Sequence, residues 1–357
     1  MSIEHNLMRK KKSFFKKFIW SLVGVLFLSG AITASVFYGR IYQSNVSLDY
    51  QKEVFIYIPT GASFEDVLQQ LTVEGIIISS SSFRWISERK HYTKNIKSGR
   101  YLLQDGMNNN ELVNLLRSGR QTPVNVVFNN VRTKEEFAGK IAHQIELDSV
   151  QILEAMLDTT FLNPLGLDAF TVSSLFIPNT YEFYWNTTVT SFLSRMVAEH
   201  HHFWNDSRQA KAKRLNLTKE EVVTLASIVE KETLQKSEQP VVAGLYLNRL
   251  KKGMKLQSDP TVIFAIGDFS IRRVLKKDLK YDSPYNTYKY KGLPIGPISL
   301  PSIRAIDAVL NYQKHDYLFM CAKEDFSGFH NFAQTAIQHY ANAAKYRKAL
   351  NDRNIKR

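Results

Sequence analysis

The sequence predicts an α+β protein made of a single N-terminal transmembrane helix, a small strand–helix–helix–strand module and a larger mixed α+β domain. Three observations carry that prediction. A charge-free run of 21 residues lies near the amino terminus. Strand-like stretches are interleaved with capped, amphipathic helices. A length of 357 residues, 44% apolar and 22% charged, leaves room for about two domains besides an anchor and excludes a disordered chain.

Charge and cysteine content narrow the function classes. Lys and Arg outnumber Asp and Glu by 47 to 33, a net charge of +14. Residues 1–17 hold a net +5 of this, from Arg9, Lys10, Lys11, Lys12, Lys16 and Lys17 against Glu4. The remaining excess suits an anionic partner. A lone cysteine, Cys321, excludes an intrachain disulfide framework and a Cys-based zinc site, and leaves the redox compartment open.

The elements follow in order. Residues 1–17 form a basic tail, and Phe18–Tyr38 (FIWSLVGVLFLSGAITASVFY) is long enough to cross about 30 Å of hydrocarbon as a helix. The positive-inside rule keeps the tail cytoplasmic and sends the rest of the chain outside the cytoplasmic membrane. A cleaved signal peptide is the competing reading, but the apolar run exceeds a signal core of about 7–15 residues, and Ile32 is a poor −3 residue for cleavage after Ala34. With one span and an extracytoplasmic body, nucleic acid is excluded as a partner; cell-wall or lipid anions take its place.

Residues 39–52 read as a polar stalk and 53–121 as the small module. Within it, Glu53–Pro59 alternates as a strand, Ser63 caps a helix running to Leu71, Ser80–Arg89 is a second helix, and Ser98–Gln104 is a second strand. Aligning Gly61 with Gly106 superposes Asp66 on Glu111 and Leu71 on Leu116, so a further helix repeats the first. Strand–helix–helix–strand is the pattern of small carbohydrate-binding LysM-type modules; a generic α+β module is the plainer alternative.

Residues 122–357 form the larger domain. Asn125–Phe128 reads as a strand and Thr133–Leu147 as a helix. The aromatic segment Phe176–Trp185 (FIPNTYEFYW) reads as a loop because of its Pro and Asn, with rings suited to stacking on sugars or to lidding a core. Glu199-His200-His201-His202 is not a metal site, since three adjacent helical histidines point in three directions.

Leu217–Thr233 is the best-specified helix, with a capping box between Thr218 and Glu221 and a staple between Leu217 and Val222. Val222, Leu225, Ala226, Val229 and Thr233 define its buried stripe, and Glu230 and Glu232 fall about 80° to either side. A carboxyl at such a border is half desolvated, its pKa rises, and it can serve as a general acid at neutral pH. Helical arithmetic does not choose between the two, and both as solvated surface carboxylates is the bland alternative. Downstream lie an amphipathic helix over Leu245–Leu250, a polar turn at Gln257–Thr261, the segment Asp282–Tyr288, a rigid Gly/Pro loop over Lys291–Pro301, a buried strand at Tyr317–Ala322 and a terminal amphipathic helix.

The series SIVEKET, YLNRLKKGMKLQSDPTVIF, YNTY, GLPIGPIS and HNFAQT resembles the YceG-like family, densely across Leu225–His339. LFIPNTYEF resembles its aromatic proline segment, with Asn179 where the family has Asp; Phe128-Asn-Asn stands in place of its Glu-Gly. The resemblance implies a membrane-anchored endolytic murein transglycosylase, a lyase that carries a LysM-like module ahead of a catalytic domain. Such an enzyme cleaves the β-1,4 bond between N-acetylmuramic acid and N-acetylglucosamine within nascent peptidoglycan strands. It closes a 1,6-anhydro ring without water, so one carboxyl group suffices and no metal or cofactor is implied. The family's catalytic glutamate matches Glu232. Ser227, Glu230, Asn248, Gln257, Asp259, Asn286, Thr287 and Tyr288 are the expected substrate-binding group. Peptidoglycan strands, the cytoplasmic membrane and peptidoglycan synthases are the implied partners, and ending strand elongation is the implied role. Two rivals stand beside this reading: a non-catalytic glycan-binding scaffold, and a muramidase in which Asp259 or Glu230 activates water.

Overall fold

The computed structural model describes residues 2–353, with side chains from residue 14 onward. The charges expected at Arg9 to Lys12 therefore lie outside the described side chains. The chain divides into two units, one running up to Val124 together with Tyr184–Asn186, the other comprising Asn125–Phe183 and Thr187 onward.

The first unit opens with α1 (Ser2–Tyr42). Every side chain from Phe14 to Tyr38 is exposed, Trp20 and Phe27 among them. The 29-residue stretch Phe14–Tyr42 is apolar, unburied and, by length and composition, long enough to cross a bilayer. Beyond α1 come β1 (Glu53–Ile58), α2 (Phe64–Val73), α3 (Ser80–Arg89), β2 (Gly99–Gln104) and α4 (Asn109–Ser118). β1 and β2 pair antiparallel, with Glu53 opposite Gln104 and Ile58 opposite Gly99. The internal repeat has a physical basis: Ser63 with Asp66, and Asn108 with Glu111, each close a capping box. Ile58, Leu71, Phe83, Tyr101 and Leu116 fill the core between the ribbon and the three helices.

The segment expected as a stalk starts as the last turn of α1. Ser44 and Val46 then form bridges to Asn108 and Ile77. Asn109, 1% exposed, donates from its amide to the Arg40 carbonyl (2.8 Å) and accepts from the Asn45 amide (2.8 Å). The end of α1 is thereby hydrogen-bonded into the small module.

The second unit holds β3 (Val124–Val127), α5 (Lys134–Ala142), α6 (Ser149–Leu157), α7 (Thr159–Leu162), β4 (Thr180–Phe183), α8 (Val189–Phe203), α9 (Asp206–Leu215), α10 (Lys219–Glu232), α11 (Gln239–Lys251), α12 (Asp259–Ile266), α13 (Ile303–Leu310), β5 (Phe319–Ala322), β6 (His330–Ala333) and α14 (Ala336–Asp352). β3 pairs with β4, and β5 pairs antiparallel with β6. The aromatic segment is thus a strand over residues 180–183, where a loop was expected: the turn signals Pro178 and Asn179 stop just ahead of it. Tyr181 and Phe183 alternate inward and join Phe128, Phe137 and Phe192 in a ring cluster, so they are core and not sugar platforms. Tyr184 is exposed, while Trp185 meets Tyr57 edge-on at 5.2 Å.

α10 is the axis of the unit. Its capping box forms between Thr218 and Glu221, but the buried surface is wider than a stripe: every residue from Val222 to Val229 is buried. α11 and α13 wrap it, contributing Val242, Leu245, Ile306 and Val309 to one core. The strand expected to be buried, β5, is only half-buried, which leaves it free to line a cleft. The Gly/Pro loop passes so close to α7's downstream segment that a Cβ on Gly296 would sit 2.1 Å from the Phe170 carbonyl oxygen.

Candidate active site

Two glutamates end α10, and the surrounding residues treat them differently. Both are half-buried. Glu230 is taken up by Ser302, the cap of α13, whose backbone N–H (3.2 Å) and hydroxyl both donate to it. Glu232 is the last helical residue, because Thr233 turns extended. Its carboxyl accepts from the Ser258 hydroxyl and from the hydroxyl of Tyr246, which is 1% exposed.

Burial pushes the Glu232 carboxyl above its ordinary value, and the negative charge of Asp259 adds to that. The Ser258 and Tyr246 hydroxyls and the nearby His330 pull the other way, and burial wins. The result is a carboxyl group that keeps its proton to higher pH than a surface glutamate and is already oriented by two hydroxyls.

Ser258 is itself held rigidly. Its backbone N–H donates to the Thr287 hydroxyl (3.0 Å), its carbonyl accepts from the Thr261 hydroxyl (2.7 Å), and the two threonine oxygens lie 2.8 Å apart. Gln257, just before it, has a φ of +53°, a left-handed backbone that a non-glycine residue adopts only when its surroundings enforce it. Asn286, fully buried, donates to the carbonyls of Leu279 (3.0 Å) and Tyr281 (2.7 Å) and accepts from the Tyr288 N–H (2.9 Å). That sets Tyr288 so that its hydroxyl donates to Asp259 at 2.6 Å.

Two hollows adjoin at Glu232. One, of about 250 Å³, is lined by Tyr246, Arg249, Gln257, Asp259 and Tyr288 with Met320 and Cys321 of β5. The other, of about 350 Å³, is lined by Thr233, Gln235, Lys323, Phe326 and Tyr346. Glu232, Ala322 and His330 border both, so Glu232 lies where the two hollows meet. His330 is fixed there by buried Glu238, which accepts from its backbone N–H (2.8 Å) and lies 2.9 Å from its Nδ1. A larger, more open hollow of about 710 Å³ lies at the opposite end of α10, beside Thr218 and Glu221, away from the perturbed acid. Among the described residues no group of three His, Cys, Asp or Glu side chains is arranged to hold a metal ion.

The sequence profile of the YceG-like family matches residues 56–345. The chain belongs to that family. Among curated YceG-like relatives, the endolytic murein transglycosylase of Bacillus subtilis is 30% identical over 90% of this chain and 92% of its own length. The endolytic murein transglycosylase of Streptococcus pneumoniae strain D39 is 27% identical over 91% of this chain and 65% of its own. A crystal structure of a yceG-like protein from Listeria monocytogenes is 28% identical, with a TM-score of 0.55 over 81% of this chain and 98% of that one.

In this YceG-like protein the residues singled out from sequence separate into groups. Glu232, Gln257, Asp259 and Tyr288 come together on the cleft. Thr287 and Asn286 lie behind it, their polar atoms used on Ser258 and on loop carbonyls. Ser227 is fully buried, donating to the Thr224 carbonyl and accepting from the Ile298 N–H. The Asn248 amide spans the carbonyls of His315 (2.7 Å) and Tyr317 (3.1 Å). Sequence reasoning did not single out Tyr246, Arg249 or His330. Tyr246 and Arg249 share one helical face at i, i+3 spacing in YLNRL, the one local signal available.

Proposed function

We propose that this protein is an endolytic peptidoglycan lytic transglycosylase with Glu232 as its single acid/base. The supporting observation is a desolvated carboxyl group, pushed toward its protonated form, at the junction of two hollows. Two hollows meeting at the acid suit cutting within a strand rather than at its end. The protonated Glu232 gives its hydrogen to the glycosidic oxygen as the bond from the muramyl C1 breaks, and positive charge develops on the sugar. The resulting carboxylate, stabilised by the Ser258 and Tyr246 hydroxyls, removes the proton of the muramyl 6-hydroxyl as that oxygen closes on C1. The proton count balances, no water is consumed, and Glu232 ends as it began.

The other cleft residues orient the sugars. Gln257, Tyr288 and Asp259 offer an amide, a hydroxyl and a carboxylate on one side of Glu232, with His330 at the junction. Asn286 and Thr287 act as positioning residues through Tyr288 and Ser258. Ser227, Glu230 and Asn248 serve the same cleft indirectly by fixing the loop at Ile298, the start of α13 and the approach to β5. We assign residues 53–121 to a LysM-like glycan-binding module, 122–357 to the catalytic domain and α1 to a single membrane anchor with the basic tail cytoplasmic. Cutting is then confined to strands near the outer face of the membrane, where peptidoglycan synthases extend them, and ends their elongation.

The test is digestion of purified peptidoglycan by the full-length chain in detergent, wild type beside Glu232→Gln, with product masses. The expected fragments end in anhydromuramyl residues and vanish in the variant. Fragments heavier by one water would assign a muramidase, and no fragments would assign a scaffold. A reporter fused to the carboxyl terminus tests the orientation.

A further inference from the structure

A smaller hollow, of about 150 Å³, is not used by the bond-breaking chemistry. Its walls are Pro260, Ile263, Phe264 and Phe269, and two cations face it, Arg132 and Lys231. It shares its supports with the cleft: Lys231 directly precedes Glu232 at the end of α10, and Pro260 directly follows Asp259 at the start of α12. The Arg132 guanidinium stacks 4.8 Å above the Phe269 ring.

Lys231 is half-buried, and among the described residues no hydrogen bond or ion pair holds its ammonium group. The acids that influence it are engaged elsewhere, Glu230 by Ser302 and Glu136 by the Arg132 N–H (2.8 Å) and by Lys140 (3.5 Å). Burial pushes the Lys231 ammonium below its usual value, and Arg132 pushes the same way. The charges of Glu230 and Glu136 offset part of this, but neither carboxylate pairs directly with the Lys231 ammonium, and two cations lining apolar walls suit an anion with an aliphatic body. A neutral sugar offers neither, and a bare phosphate would leave the phenyl and isoleucyl walls uncovered.

We propose that this hollow binds the peptide stem of the glycan strand, with Lys231 and Arg132 on a stem carboxylate and Ile263, Phe264 and Phe269 against its aliphatic side chains. The inference rests on the transglycosylase reading above. The stem hangs from the same muramyl residue whose C1 Glu232 works upon, so a stem site belongs near the cleft, and this hollow is built on Lys231 and Pro260, the chain neighbours of Glu232 and Asp259. Stem recognition then becomes a determinant of which strands are cut.

The experiment uses the full-length protein in nanodiscs on two substrates, stem-bearing glycan strands and the same strands stripped of stems by an amidase. The ratio of kcat/KM between them is expected to exceed about tenfold for wild type, the scale of one charge-assisted hydrogen bond. Lys231→Met and Arg132→Met should each bring it toward one, and Lys231→Arg should restore most of it. A wild-type ratio near one, or a ratio unmoved by both methionine variants, overturns the proposal. A second readout needs no cleavage: the free tetrapeptide stem is titrated into Glu232→Gln protein, with and without Lys231→Met. About tenfold weaker binding with Lys231→Met supports the site; equal binding, or none, overturns it. Stem binding without cleavage of either strand would refute the lytic reading and leave the stem site standing.

Discussion

Replacing Glu232 by Gln should make the protein more heat-stable, and only on the alkaline side. Glutamine keeps the shape of the side chain and its reach to Ser258 and Tyr246, but removes a carboxyl group whose burial opposes ionisation. The folded pKa is raised above the unfolded value of about 4.3. Below that value both states hold the proton, and the substitution changes nothing through this route. As pH rises, the unfolded chain releases its proton first, and wild-type stability declines until the pH passes the folded pKa. Each pH unit between the two costs about 1.4 kcal/mol. At about 2–4 °C per kcal/mol for a domain of this size class, that is about 3–6 °C of Tm per unit of elevation. Scanning fluorimetry of both proteins from pH 4 to pH 8 reads the effect directly. The variant should melt higher at pH 8, with the gap closing toward pH 4, while lytic activity is lost throughout. A constant offset would mean that the carboxyl titrates alike in the folded and unfolded chain, and a wild type more stable at pH 8 that its neighbours hold Glu232 ionised; either result defeats the general-acid argument.

Tyr246→Phe and Ser258→Ala each remove a donor that pulls the Glu232 carboxyl down, so the alkaline limb of kcat/KM should move to higher pH while kcat falls about tenfold; a limb that stays or moves down contradicts the arrangement. Gly296→Ala drives a methyl group onto the Phe170 carbonyl and should cost about 1–3 kcal/mol, seen as a lower urea midpoint with the same slope; an unchanged midpoint refutes the close approach. Asn109→Leu leaves the Arg40 carbonyl without its donor and the Asn45 amide with only the Ser79 carbonyl (3.1 Å), and should cost about 1–3 kcal/mol, read as faster proteolysis between Tyr42 and Glu53; an unaltered cleavage rate counts against the linkage.

What the sequence made legible was local. The cap at Ser63 and the capping box at Thr218 involve residues three apart, and both form. The burial of α10 on all sides was hidden, because a helical wheel of α10 contains no α11 or α13 to cover its other faces. The strand at residues 180–183 was masked by the turn signals just before it. Glu230 and Glu232 look alike in sequence; what separates them is that Ser302 arrives at one and Ser258 at the other, 72 and 26 residues downstream. His330 entered the site from still further along the chain, held by a glutamate 92 residues before it. Polar character marked Asn248 and Asn286, but only the fold reveals that their amides are spent on backbone carbonyls.

The joint at Asn109 makes the link between α1 and the small module a bracket instead of a leash. A floppy tether would let the module sample every orientation and any height up to its contour length. Here, with Arg40 grasped by a buried amide and Phe37 packed 5.3 Å from the Trp85 ring, tilting the helix turns the module with it. With α1 as the proposed membrane anchor, the thickness and packing of the lipid around it become a mechanical input to where this module points.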